Sequence, residues 1–272
     1  MIVCPLISGS SGNATYIESG ATRLLVDCGA TGAQIEKALR SIEVEPHSLT
    51  ALLVTHSHDD HVRGLGILSR RYNLPIHASI GTWKDIMKRN KIGSIAPKNI
   101  AVFDTSKPQN LLKFGAITAR FFSTPHDADD SVGYVFSDGE TSFGLSTDFG
   151  HVTPGIRAAL LGCSVVLLES NYDPYMLEHG PYPKQLQERI AGAYGHLSND
   201  DAGNFAVELV RSGTKYIYLG HLSEHNNTQE LAYQTVARQL REAGVALQQD
   251  CDACDCAVYM TRRYEPSRKL VF

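Results

Sequence analysis

Short apolar runs recur along the chain, set apart by Gly, Ser, Asn and Asp, and longer stretches with helical spacing lie between them. Ile2 to Ile7 predicts a strand, and Ala14–Ser19 with Arg23–Asp27 predicts a hairpin joined at Gly20. Ala51-Leu52-Leu53-Val54 is apolar throughout, as a short buried strand is. Further strands are predicted over Pro75–Ala78, Ile117–Phe122, Val165–Leu168 and Tyr216–Leu219, with the last strand or strands inside Val245–Met260. Asp138-Gly139 is a two-residue turn signal between Val132–Phe136 and Thr141–Ser146. Helices are predicted over Thr31–Ser41, opened by a Thr31/Gln34 capping box, and over Val62–Tyr72 and Lys184–Tyr194. Two more start behind Ser198, with Asp201 in the first turn, and Thr228, with Glu230 in the first turn. No repeat, low-complexity linker or composition shift divides the chain, which predicts a single domain over residues 1–272.

The strand Ala51–Val54 runs directly into Thr55-His56-Ser57-His58-Asp59-Asp60-His61. Each of these imidazoles and carboxylates would need a polar partner if buried, so packing alone gives no reason for the cluster. Neutral imidazole nitrogens and carboxylate oxygens are ligands of Zn²⁺, Fe²⁺ and Mn²⁺. His56 and His58 are two apart and face one side of extended backbone, while Asp60 and His61 come from the start of the next element. Strands ending near Ser123 and Thr147 deliver His126 and Asp148, ligand-type residues again, and strand ends on one sheet edge can share a site. Asp27 is placed either to orient a metal-bound histidine or to cap a turn. The small-residue loop Ser8–Asn13 reads as a backbone N–H cradle or as a plain β-turn.

Composition narrows the class. With 272 residues, 43% hydrophobic and 20% charged, the chain can bury a large core without disulfides. Its start has no basic n-region and no run approaches a membrane span, so a cytoplasmic protein with thiol cysteines is expected. Cys251, Cys254 and Cys256 lack an evident fourth ligand and read as free thiols rather than a closed zinc site. A net charge of −4 leaves nucleic-acid contact to a local patch, and Lys84, Lys88, Arg89, Lys91 and Lys98 form the one basic run. It reads as a phosphate track or a solvated face, with Trp83 at its start as core.

Taken together, His56-x-His58-x-Asp60-His61, then His126, Asp148 and a late histidine after a strand resemble the metallo-β-lactamase superfamily. SGSSGN (8–13), THSHDDHVRGLG (55–66), PHDADDSVGYVF (125–136), STDFG (146–150), ESNYD (169–173), GHLSN (195–199) and GHLSEHNNT (220–228) resemble its WalJ (YycJ) subfamily over nearly the whole chain. The resemblance implies an α/β fold, a four-layer αββα sandwich, with two divalent metal ions (Zn, Mn or Fe) at one edge. His56, His58 and His126 match the ligands of the first metal, Asp60, His61 and His221 those of the second, and Asp148 the bridging carboxylate. His196 and His221 both stand in Gly-His-Leu-Ser, and His221 is taken as the ligand because it follows the strand Tyr216–Leu219 directly. His196 is then left for phosphate contact or as general acid.

The implied activity is a 5′-to-3′ exonuclease on double-stranded DNA, with a hydroxide held between two metals as nucleophile. Asp60 would take the nucleophile's proton and His196 would give one to the leaving oxygen. The ligands alone fit equally a hydrolase of thioesters, lactones or cyclic phosphodiesters. A non-catalytic signalling partner would not need the whole ligand set.

Overall fold

The computed structural model describes residues 1–107, 110–248 and 254–272. They form two compact units: Met1–Ser123 with Ala128–Asp138 and Arg262–Phe272, and Thr124–Asp127 with Gly139–Thr261.

The first unit contains β1 (Ile2–Ile7), β2 (Ala14–Ser19), β3 (Thr22–Val26), α1 (Gly32–Ser41), β4 (Ala51–Leu53), α2 (Asp59–Val62) and α3 (Leu65–Tyr72). It continues with β5 (Ile76–Ser79), α4 (Ile80–Lys88), β6 (Ile100–Phe103), β7 (Leu111–Phe114), β8 (Ile117–Ser123) and β9 (Val132–Ser137). A terminal strand, Leu270–Val271, completes it. A mixed sheet places that strand beside β1, followed by β2-β3-β4-β5-β6. The hairpin β2–β3 is antiparallel and turns at Gly20, whereas β3, β4, β5 and β6 run parallel. β7, β8 and β9 form an antiparallel meander. It packs on the sheet: Phe121 stacks on Phe103 at 4.3 Å between ring centroids, and the Tyr134 hydroxyl donates to the Val54 carbonyl. All three residues of β4 are apolar and buried, the pattern of a parallel strand inside a sheet.

The Thr31/Gln34 capping box opens α1 as its sequence predicts. The helix predicted over Val62–Tyr72 is instead two, α2 and α3, broken at Arg63 and Gly64. There the Gly64 N–H leaves the helical pattern to donate to the Cys28 carbonyl at 2.7 Å. A tertiary hydrogen bond overrides helical spacing at that point. The basic stretch is helical only to Lys88, and Trp83 is core, 5% exposed.

The second unit contains β10 (Ser142–Ser146), α5 (Pro154–Leu160), β11 (Val165–Glu169), α6 (Pro174–His179), α7 (Lys184–Ala191), α8 (Asn199–Arg211), β12 (Tyr216–Gly220), α9 (Gln229–Glu242) and β13 (Ala257–Met260). β10, β11, β12 and β13 are all parallel, with Leu145 beside Leu167, Leu167 beside Tyr218, and Tyr218 beside Tyr259. Parallel strands buried on both faces read as continuous apolar runs, and VVLLE is one. Ser198 and Thr228 cap α8 and α9 as predicted. α7 is shorter than its predicted span to Tyr194, because the chain turns at Gly192 and the His196 N–H returns to the Ile190 carbonyl. Cys256 is buried in a bridge with Leu247, and burial pushes its thiol up to about 12. Cys254 is half-buried, and Cys251 lies outside the described residues.

Candidate metal centre

In the first unit the candidate ligands sit on the loop between β4 and α2. Thr55 and Asp27 fix the start of this loop. The Thr55 N–H and hydroxyl donate to the two Asp27 carboxylate oxygens, both at 2.8 Å. Asp27 Oδ2 also lies 2.8 Å from His61 Nδ1. A carboxylate there keeps the proton on Nδ1 and turns the Nε2 lone pair outward, the tautomer a ligand histidine needs. Asp27 therefore does both things open to it: it caps the turn at Thr55 and holds the His61 ring. The Asn13 side-chain amide donates to His61 Nε2 at 3.0 Å, and the Asn13 backbone N–H donates to the Asp60 carbonyl at 2.8 Å. The small-residue loop is thus a turn, closed by the Gly12 N–H on the Gly9 carbonyl, that brings Asn13 against the histidine motif. A Cβ on Gly29 would stand 1.6 Å from the Asp60 carbonyl oxygen, so no side chain fits behind the loop. The ring centroids of His56 lie 4.7 Å from His58 and 4.0 Å from His61. His56 and His61 are fully buried.

In the second unit the candidates arrive from separate strand ends. Asp148 follows β10 and His221 follows β12, while His126 stands on the Thr124–Asp127 segment. His126 Nε2 and His221 Nδ1 lie 3.7 and 3.4 Å from Asp148 Oδ1. Asp148 and His221 both hold positive φ, 61° and 55°, and Asp27 in the first unit does the same at 60°. Non-glycine residues are rare in this conformation, and it concentrates at functional sites. The adverse φ turns each side chain off the end of its strand.

Glu169, the last residue of β11, was assigned no role from sequence, yet it organises this half. It is fully buried, and its Oε1 lies 2.8 Å from both His196 Nδ1 and His221 Nδ1. Its Oε2 accepts the Phe149 and Leu197 N–H groups at 3.0 and 3.3 Å. Burial pushes the Glu169 carboxyl up, but the two imidazoles outweigh burial and hold it below its usual range. Burial likewise pulls His196 down, and the carboxylates of Glu169 and Asp148 outweigh that and raise it. For His126 burial wins, and its affinity for a proton is lowered. The advance signals for Glu169 were an acid following an apolar strand and its place at the head of the ESNYD motif (169–173).

Asp148, Glu169, His196 and His221 offer ligand atoms that all lie within 4.8 Å of one another. Imidazole nitrogen with carboxylate oxygen is a donor set that fits a divalent transition-metal ion. Both late histidines reach this cluster, with side chains 21% exposed for His196 and 2% for His221.

Comparison with known proteins matches residues 22–221 to the β-lactamase superfamily domain. The chain is 36% identical over 250 residues to the exodeoxyribonuclease WalJ of Streptococcus pneumoniae, covering 92% of each chain. It is 36% identical over 239 residues to the exodeoxyribonuclease YycJ of Bacillus anthracis, covering 88% of this chain and 89% of that one. The metallo-β-lactamase fold protein YhfI of Bacillus subtilis superimposes with a TM-score of 0.69 at 18% identity, covering 98% of this chain and 99% of that one. These two sets of strands and helices therefore build the metallo-β-lactamase fold, and the chain belongs to the metallo-β-lactamase superfamily, in the subfamily of WalJ and YycJ.

Proposed function

We propose that this chain is a metal-dependent exonuclease that degrades double-stranded DNA from the 5′ end in the cytoplasm. The observation that carries the reading is the gathering of Asp148, His196 and His221 around buried Glu169, with His126 beside Asp148. It occurs in a chain 36% identical over nearly its whole length to an exodeoxyribonuclease. His56, His58, Asp60, His61, His126, Asp148 and His221 would hold two divalent ions, Zn, Mn or Fe. On this reading residues 1–272 act as one catalytic domain.

Bound divalent cations would supply Lewis acidity and bring the pKa of a coordinated water from 15.7 to about 7. Asp60 takes the proton of the attacking water. His196 is the proton donor to the leaving 3′-oxygen, since it is the more exposed of the two late histidines and Glu169 holds its other ring nitrogen. His221, buried on the same carboxylate, is the ligand. Among the described residues no helix is long and apolar enough to cross a membrane.

The test is the purified protein with Mn²⁺ or Zn²⁺ on end-labelled duplex DNA, beside a thioester and a generic phosphodiester. Mononucleotide release that EDTA abolishes, and that Asp60→Ala reduces by about 10²–10⁴-fold, is the expected result. Cleavage of the thioester alone would refute the nuclease reading.

A further inference from the structure

The basic run on and just after α4 is not a solvated face throughout. Lys91, with Asp85 from α4, grips the segment that carries the first two candidate ligands, and Arg89 holds Asp85. Lys91 Nζ donates to the Ser57 carbonyl at 2.8 Å and pairs with Asp59 Oδ1 at 2.7 Å. The Ser57 hydroxyl donates to Asp85 Oδ2 at 2.6 Å, and the other Asp85 oxygen is held by Arg89 Nε at 2.7 Å. Ser57 is the residue between His56 and His58, and Asp59 directly follows His58. We infer that Lys91 and Asp85 are positioning residues for the metal centre, clamping Ser57 and the Ser57–His58 peptide so that the His56 and His58 rings stay aimed together. The inference rests on the proposed function, in which these histidines ligate one metal.

The geometry of the clamp supports this. Rotation of the Ser57–His58 peptide would change ψ at Ser57 and φ at His58, and so swing one ring relative to the other. The Ser57 carbonyl is the group that reports this rotation, and it is the atom Lys91 holds. A charged donor on a backbone carbonyl is a strong hydrogen bond, more so with little water around it. The Lys91 side chain is 13% exposed and the Asp85 side chain 11%.

Lys91 is itself held firmly. Helix α4 ends at Lys88 with Arg89 as its cap, Asn90 adopts φ 48°, and the Lys91 N–H returns to the Ile86 carbonyl at 3.2 Å, which turns the lysine back towards the loop. Ile92 next to it is core, and its carbonyl accepts from Arg70 at 2.7 Å. That carbonyl lies 1.9 Å from where a Cβ on Gly66 would stand, so α3 admits the turn only with glycine at this position. Lys84 and Lys88, by contrast, are exposed on α4.

The experiment measures Zn²⁺ and Mn²⁺ affinity by competition with a chelating dye, and the melting temperature of the metal-stripped protein. It compares wild type with Lys91→Ala, Lys91→Arg and Ser57→Ala. Partners behind metal ligands typically set affinity by about 10–100-fold, and a loss in that range is expected for Lys91→Ala with metal-stripped melting near wild type. Lys91→Arg, which still donates to the carbonyl and pairs with Asp59, restores affinity. Ser57→Ala, which removes only the hydroxyl arm, shifts affinity the same way by less, and it serves if Lys91→Ala does not fold. Unchanged affinity in Lys91→Ala and Ser57→Ala, or a loss that Lys91→Arg does not restore, overturns the inference. A wild type that binds neither ion sinks the metal reading and this clamp with it.

Discussion

The candidate ligand sets of the two units are built on opposite plans. In the first unit the ligand-type residues are neighbours in sequence, and a web of separate supports holds them: Asp27 on His61, Thr55 on His56, Asn13 on Asp60, Lys91 on Ser57. In the second unit they come from positions as far apart as His126 and His221, and the two late histidines depend on one carboxylate, Glu169. A local motif can share its support among many weak links. A motif assembled from distant strand ends concentrates it on one buried group.

That contrast is most exposed by removing the central supports. Glu169→Ala takes the acceptor from two candidate histidines, His196 and His221, at once, whereas Asp27→Ala takes it from one, His61, together with the Thr55 N–H and hydroxyl, and leaves the Asn13 contact in place. At about 10–100-fold in metal affinity per lost partner, the Glu169 variant is expected to lose 100-fold or more and the Asp27 variant about 10-fold. Dye competition on both proteins measures this. Equal losses would erase the distinction between shared and concentrated support.

A smaller effect concerns acid and base. In the metal-stripped protein the Glu169 carboxyl is held below its ordinary 4.5 and the His196 imidazole above its ordinary 6.5. A depressed carboxyl stabilises the fold above 4.5, and that contribution is lost as pH falls through its folded value. A raised imidazole stabilises the fold below 6.5, and that contribution is lost as pH rises through its folded value. The stability gap between wild type and Glu169→Gln is therefore expected to be widest between about pH 4.5 and 6.5 and to narrow on both sides. Urea unfolding midpoints across pH 3–9 would show it, and a gap independent of pH would contradict it.

The smallest effect sharpens the contrast by staying outside it. Thr31→Ala removes the α1 cap and costs about 1 kcal/mol of stability. Metal affinity is expected to be unchanged, since the supports described above for the candidate ligands come from elements other than α1.

The same difference in plan decided what the sequence could reveal. The histidine loop was legible because ligand spacing and the apolar run in front of it are adjacent in the chain. Asp27 was readable only as one of two roles, because its carboxylate is aimed by a left-handed backbone that no periodicity records. Glu169 looked like any acid at a strand end, and only the parallel pairing of β11 with β12 brings it to His221. The break between α2 and α3 was hidden because the bond that causes it, Gly64 to Cys28, is tertiary. The short strand Leu270–Val271 carries too little pattern to be seen before β1 pairs with it.

The absence of room behind Gly29 bears on how quickly a cation could be taken up. A loop pressed against a neighbouring backbone has few shapes to explore. Capture by residues 56–61 then requires no search among conformers, so the speed of loading is expected to follow encounter and the shedding of water from the ion.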